Sequence, residues 1–306
     1  MTTVVTTRPK KILLIGADGY IGSYLFSVLR KSGYSVHGCD CGLRKISSGT
    51  PLAHPYPHQD IYNEELQDYD TVLFFAGTSN VRAAEANPIG ALEDNCTDLY
   101  VLRQLLRPDA RLIYASSGSL YSLPWNAHPN ALPPWAREKD ATGPGLNAYD
   151  RSKACFDAIN IGFLENTTGL RLGTVCGYSP NLRPELIFNA MCLSAMQEGV
   201  VKIANPLSWR SLVFLEELSQ IVISCIDSVY LPKILNVATR SCTVEWLGYK
   251  IAKHFNVKEV RLPDSPTYNF RMDTSLLHET VPLHVYTNNS LTEHCDMFAR
   301  WATKGA

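Results

Sequence analysis

The run Lys11-Ile-Leu-Leu-Ile15 leads without a spacer into Gly16-Ala-Asp-Gly-Tyr-Ile-Gly22. A short apolar run flanked by lysine and glycine suits a strand buried on both faces, the habit of parallel sheets. From Tyr20 to Ser32 the apolar residues Ile21, Leu25, Val28 and Leu29 recur at helical spacing, and Gly33 stops the pattern. Strand, glycine turn and helix in that order confine the chain to folds in which crossover helices cover a parallel sheet. The alternation then continues. Strands are predicted at Tyr34–Cys39, Thr71–Phe75, Arg111–Ala115, Leu170–Val175 and Lys233–Ala238, and helices at Ala91–Leu106 and Tyr149–Leu164. The expected fold class is α/β: a Rossmann-type doubly wound parallel sheet with a smaller C-terminal substrate-binding region.

Composition narrows the partners. The 306 residues are 45% hydrophobic and 19% charged, which permits a sizeable core. With 28 basic against 29 acidic residues and no basic block, neither nucleic acid nor a membrane surface is an expected partner. No apolar run approaches the length of a bilayer span, and Met1–Lys11 lacks the apolar centre of a signal peptide, so a soluble, cytoplasmic protein is expected. The nine cysteines are scattered, and only Cys39 and Cys41 are close neighbours. They read as reduced thiols packed as small apolar residues, and no metal site is expected.

Four local patterns carry chemistry. In Gly16–Gly22, glycines at 16, 19 and 22 allow a tight turn and let backbone N–H groups approach a pyrophosphate at a helix N-terminus. Asp40 ends the second predicted strand, 18 residues after Gly22, where a carboxylate accepts from ribose hydroxyls and repels a 2′-phosphate. That favours NAD over NADP, although Arg44 lies close by. Asp60 and Ile61 are placed to flank the adenine, with an exposed turn as the other reading of Asp60. Ser116, Ser117 and Ser119 follow the Arg111–Ala115 strand, at the sheet end where open α/β sheets bind ligands. Tyr149 and Lys153 stand one helical turn apart, so an ammonium beside a phenol is expected to lower the phenol's pKa and fit it for acid–base work.

In this order the four patterns resemble the extended short-chain dehydrogenase/reductase family, the NAD-dependent nucleotide-sugar epimerases and dehydratases, over about residues 10–275. Further segments fit the resemblance: Phe75-Ala-Gly-Thr78, Asn95, Leu170–Gly177 and Trp209–Leu218. It implies Ser117, Tyr149 and Lys153 as catalytic residues, Ser117 lying four residues before Tyr121. It implies cofactor contacts from Gly16, Gly19, Tyr20, Ile21, Gly22, Asp40, Asp60, Ile61, Ala76, Gly77 and Lys153. Substrate would meet Ser116, Ser117, Tyr149, Thr174 and Arg210, with Arg183 or Arg271 as a second cation. The NAD-binding domain would comprise residues 1–175 and about 209–239; the substrate region would take about 176–208 and 240–306. A homodimer is implied as well.

The departures concern substrate choice. Cys176-Gly-Tyr178 stands where the family has Tyr-Gly-Pro, Thr174 where it has asparagine, and Phe214 where it has histidine. The segment 123–145, rich in proline and tryptophan, is unusually long; it is either an ordered loop near the site or a surface excursion. Gly118 and Ser119 follow Ser117, so the carboxylates of the dehydratase and decarboxylase branches are missing. What remains suits a 4-epimerase acting on a nucleotide-diphosphate sugar through a transient keto-sugar. A keto-sugar reductase or dehydrogenase uses the same residues, and a non-catalytic NAD-sensing scaffold is the reading from another class. Glu138, His54, His58 and His128 read as solvated loop positions with a second acid–base role as the alternative.

Overall fold

The structure, a computed structural model, describes residues 10–40, 54–55, 64–124, 127, 131–140, 145–282 and 289–303. Asp60, Ile61, Arg44, His58 and His128 lie outside them. In chain order the first half comprises β1 (Lys11–Ile15), α1 (Tyr20–Lys31), β2 (Ser35–Asp40), β3 (His54–Pro55), β4 (Thr71–Phe74), α2 (Val81–Ala86), α3 (Pro88–Leu92), α4 (Asp98–Leu105), β5 (Arg111–Ser117), β6 (Trp135–Ala136), α5 (Ala148–Phe163) and β7 (Thr167–Leu172). The second half comprises β8 (Thr174–Cys176), α6 (Ile187–Glu198), β9 (Val200–Ile203), β10 (Trp209–Phe214), α7 (Leu215–Asp227), β11 (Ile234–Val237), β12 (Arg240–Thr243), α8 (Val244–Phe255), β13 (Lys258–Arg261), β14 (Arg271–Met272), α9 (Ser275–Thr280) and α10 (Leu291–Ala302).

Seven strands form the main sheet in the order β11-β7-β5-β4-β1-β2-β3, and every pairing is parallel. The order reverses between β1 and β4, which opens a crevice at their carboxyl ends. The strands are apolar on both faces because each face is covered. Ile12, Leu14, Leu73 and Ile113 pack under α1 and α7. Leu13, Val72, Leu112 and Tyr114 pack under α4 and α5 with Leu99, Leu102 and Phe156. The doubly wound sheet therefore follows from the uninterrupted apolar runs.

The expected helix Ala91–Leu106 is α3 and α4 joined through one π turn, Glu93–Thr97. Such turns insert an extra residue and often mark functional sites. Here the turn aims buried Asn95 at Thr78 and α5 (Asn95 Nδ2 to Thr78 O 2.9 Å, to Ser152 Oγ 2.9 Å). The predicted strand Leu170–Val175 is divided at Gly173. A Cβ on Gly173 would come within 2.7 Å of the Ser211 carbonyl, so the chain passes close to β10 there and β8 leaves the main sheet. β8 pairs parallel with β10, which pairs antiparallel with β12. This second sheet supports its own core with α6, α8 and α10, centred on Phe188, Phe214 and Phe298.

The described part of segment 123–145 is laid against the protein. β6 pairs with β14, and the Arg271 guanidinium sits between the rings of Trp135 and Trp209, 4.7 and 5.0 Å from their centroids. Glu138 Oε1 accepts from the Asn236 N–H at 2.8 Å, a structural use of that carboxylate. No helix among the described residues is long and apolar enough to cross a membrane.

Among the described glycines, the closest approach is in the glycine turn. Gly16 has φ +89°, and a Cβ there would lie 2.5 Å from Ala76 N; a Cβ on Gly22 would lie 1.9 Å from Gly16 O. Gly22→Ala is therefore expected to destabilise the protein by about 3 kcal/mol, the upper end for forced overpacking, read as a lower urea midpoint.

Candidate active site

The carboxyl ends of β1, β2, β4 and β5 converge on one opening. Gly16 N–H and Ala17 N–H both donate to Cys39 O, at 2.9 and 3.1 Å, locking the glycine turn to the end of β2. Gly19 caps α1 with no side-chain hydrogen bond, and α1 carries no acid in its first turn. The positive end of the helix is thus left for an anion. Asp40 Oδ2 accepts the Asp18 N–H at 2.9 Å. Asp18 is itself buried with Oδ1 unpartnered, and burial, then the Asp40 charge, raises its carboxyl pKa. Two carboxylates here repel a further phosphate and accept hydroxyls. On the other side of the crevice, Gly77 adopts φ +96°, and a Cβ would strike Asn95 Oδ1 at 2.4 Å. Backbone so closely approached, with no room for side chains, is a cradle that fits a dinucleotide pyrophosphate.

Next to the cradle a cleft of about 770 Å³ is lined by Tyr20, Ile21, Ala76, Ser116, Ser117, Tyr149, Lys153, Thr174 and Arg210 among others. Nine of the sequence-derived site residues thus face one space. Gly16, Gly19, Gly22, Asp40 and Gly77 shape the glycine turn and the crevice beside it rather than the cleft wall. Two hydroxyls are turned to other tasks. Tyr20 Oη donates to Gly177 O at 2.7 Å, and Ser116 Oγ donates to Asp157 Oδ2 at 2.9 Å. Ser117 ends β5, and its Oγ lies 2.7 Å from Ser119 Oγ. Asn147 caps α5 by accepting the Asp150 N–H at 3.0 Å, which fixes the helix that carries Tyr149 and Lys153.

The electrostatics revise one expectation. Burial raises the Tyr149 phenol, the Ser117 hydrogen bond and Arg183 pull it down, and Asp150 and Asp157 add to the rise. The Lys153 ammonium instead donates to Ala115 O at 2.9 Å, so its charge is directed at the strand end. Burial pushes it down to about 8, with Asp157 and Asp94 acting the other way.

Arg210 is buried, donating to Trp209 O at 3.0 Å and Thr267 Oγ1 at 2.6 Å. Among the described residues no carboxylate pairs with it, and burial pushes it down to about 10. A buried cation at a cleft wall, lacking a counter-charge, suits an anionic ligand. Arg183 also lines the cleft but pairs with Glu185 at 2.7 Å. Arg271 is held in its tryptophan sandwich. Thr267 and Tyr268 also line the cleft, and nothing in their local sequence marks them; Asp150, between Tyr149 and Lys153 in the chain, lies buried beside it.

A backbone cradle for a dinucleotide beside Ser117, Tyr149 and Lys153 defines the short-chain dehydrogenase/reductase class. Residues 12–238 match the NAD dependent epimerase/dehydratase family, and the chain belongs to that family. A UDP-glucose 4-epimerase of Caenorhabditis elegans is 25% identical over 175 residues, 49% of this chain and 48% of that protein. A UDP-glucuronate 4-epimerase of Arabidopsis thaliana is 27% identical over 202 residues, 58% of this chain and 44% of its own. The chain thus spans about half the length of the curated relatives it matches. In fold it is similar to an NAD-dependent NDP-hexosamine 5,6-dehydratase of tunicamycin biosynthesis, with TM-score 0.79, 16% identity and coverage of 96% and 98% of the two chains.

The depressed Lys153 pKa has a stability consequence. The folded value lies below the unfolded 10.5, so the unfolded chain binds more protons between about 8 and 10.5. The charged lysine costs stability below pH 8, and the cost disappears as pH rises through that window. The cofactor-free protein is expected to gain about 3 kcal/mol from this group across the window, and Lys153→Met to lack the gain. Urea unfolding of both proteins at several pH values checks this.

Proposed function

We propose that the protein is an NAD-dependent nucleotide-sugar epimerase of the 4-epimerase type. The observation that carries this reading is the meeting of Ser117, Tyr149, Lys153 and the buried Arg210, which pairs with no carboxylate among the described residues, around one cleft beside the glycine turn. Gly16, Gly19 and Gly22 would hold the pyrophosphate, Asp40 the adenosine ribose and Lys153 the nicotinamide ribose. When bound, NAD supplies a hydride acceptor that becomes the hydride donor. Tyr149 takes the proton of the sugar C4 hydroxyl as the C4 hydrogen departs, and Ser117 positions the reacting oxygen. The keto-sugar turns within the cleft and presents its other face, and Tyr149 returns the proton to the new hydroxyl. Arg210 holds the diphosphate throughout, so the sugar can turn without leaving.

Dehydration needs an acid and a base on adjacent carbons, and Gly118 and Ser119 supply neither after Ser117. A one-way keto-sugar reductase would use the same residues; the raised Tyr149 pKa, which favours the phenol as proton donor, is the observation on its side.

Denaturing the purified protein is expected to release about one NAD per chain, with turnover of a UDP-sugar needing none added. An empty site that consumes added NAD(P)H would favour the reductase. Tyr149→Phe is expected to reduce kcat by about 100- to 10,000-fold, the range for lost acid–base catalysis, while keeping the dinucleotide. Arg210→Met is expected to raise KM for a UDP-sugar by about 10- to 100-fold, the worth of a charged hydrogen bond, with a smaller change in kcat.

A further inference from the structure

Asp150 follows Tyr149 directly and is fully buried, yet the mechanism above does not use it. Four donors converge on its carboxylate. Leu146 N–H and Asn147 Nδ2 reach Oδ2 at 3.2 and 3.0 Å, and Ser119 Oγ and Tyr268 Oη reach Oδ1 at 2.6 and 3.1 Å. The two nitrogens can only donate. Tyr268 Oη already accepts from Asn147 Nδ2 at 2.8 Å, which leaves its own proton for Asp150. Burial raises the Asp150 carboxyl, and the four donors, which fill its acceptor positions, pull it back toward the ionised form.

The direction of the next bond follows from counting protons. Ser119 has one hydroxyl proton, and a carboxylate can only accept it. The 2.7 Å contact between Ser117 and Ser119 therefore has Ser117 as donor. Ser117 Oγ also accepts the Ser119 N–H at 3.2 Å. Toward the cleft it is left with lone-pair density and no proton.

We propose that Asp150, acting through Ser119, is a positioning residue that turns the Ser117 hydroxyl away from the cleft, so that Ser117 accepts from Tyr149 or from a sugar hydroxyl and holds Tyr149 in its protonated form. The inference rests on the proposed roles of Ser117 and Tyr149. Ser117 cannot stabilise a phenolate while its proton is directed at Ser119. The Asp150 charge acts in the same direction, with Asp157; Arg183 opposes both, and so does the Ser117 hydrogen bond whenever the Ser117 proton is free to turn toward Tyr149. Tyr268 faces the same carboxylate from the cleft wall, and Lys153, one turn along α5, is directed at Ala115 O. Asp150 thereby keeps Tyr149 as the phenol, the form that delivers a proton to the keto-sugar, and raises the pH at which Tyr149 can take the proton of the sugar hydroxyl.

The test compares the NAD-loaded wild type with Ser119→Ala, Ser119→Thr and Asp150→Asn. Tyrosinate absorbance is followed against pH, each protein being referenced to its own Tyr149→Phe counterpart. Ser119→Ala leaves the Asn147 cap of α5 intact and frees the Ser117 proton. Its Tyr149 midpoint is expected to fall by about one pH unit, a tenfold rise in phenolate at a given pH below the midpoint. Ser119→Thr, which keeps the hydroxyl, should restore the wild-type midpoint, and Asp150→Asn should lower it at least as far as Ser119→Ala. The acid limb of kcat/KM should move with the midpoint. An unmoved or raised midpoint in Ser119→Ala overturns the proposal, whatever becomes of Asp150→Asn. Absence of turnover in the wild type would instead contradict the proposed function, and the phenol titration would still decide the role of Asp150.

Discussion

Beneath the site lies a buried ion pair, Arg171 Nε to Asp157 Oδ2 at 2.8 Å, with both side chains almost fully enclosed. It joins α5, the helix of Tyr149 and Lys153, to β7 in the main sheet. Tyr114 Oη and Ser116 Oγ add bonds from β5 at 2.7 and 2.9 Å. Arg171 also donates to Tyr121 Oη and to Glu138 O, drawing in the turn after β5 and the segment that leads to β6. Burying two charges is costly unless their remaining polar positions are satisfied. Here they are, and the arrangement holds α5 against the strand that ends in Ser117. Ser116 serves this anchor, whereas Ser117 at the strand end is bonded to Ser119 beside the cleft.

Above the anchor, two features divide the labour. Backbone shapes the crevice at the glycine turn: Gly16, Gly22 and Gly77 leave no space for a Cβ, so main-chain atoms line that part. Side chains shape the adjoining cleft, where burial sets the electrostatics. It raises the Tyr149 phenol and lowers both Lys153 and Arg210, so each of the three is poised away from its behaviour in water. A dinucleotide and a diphosphate would supply the missing counterparts.

The fold was legible because its strands are local apolar runs and its first turn is a local glycine pattern. Boundaries of β1, α1 and β4 fall within a residue or so of the expected ones. The division at Gly173 was not legible, since its cause is the Ser211 carbonyl, 38 positions further along the chain. The meeting of Ser117, Tyr149 and Lys153 followed from motif order, but their electrostatics did not. Helical spacing places Lys153 near Tyr149, whereas burial and the Ala115 carbonyl decide where its charge acts. Tyr268 and Thr267 come from a segment without a periodic pattern and reach the site only through the three-dimensional fold. Asp150 is visible in sequence as a residue, but its role depends on Ser119, 31 positions away.

The central claim is that Tyr149-dependent hydride transfer to and from a retained NAD inverts one carbon of a nucleotide sugar. Turnover of a UDP-sugar deuterated at C4, in ordinary water and without added cofactor, tests it most directly. The account predicts inversion at C4 with the deuterium kept there. Loss of the deuterium to solvent, or its appearance in free NADH, would contradict it.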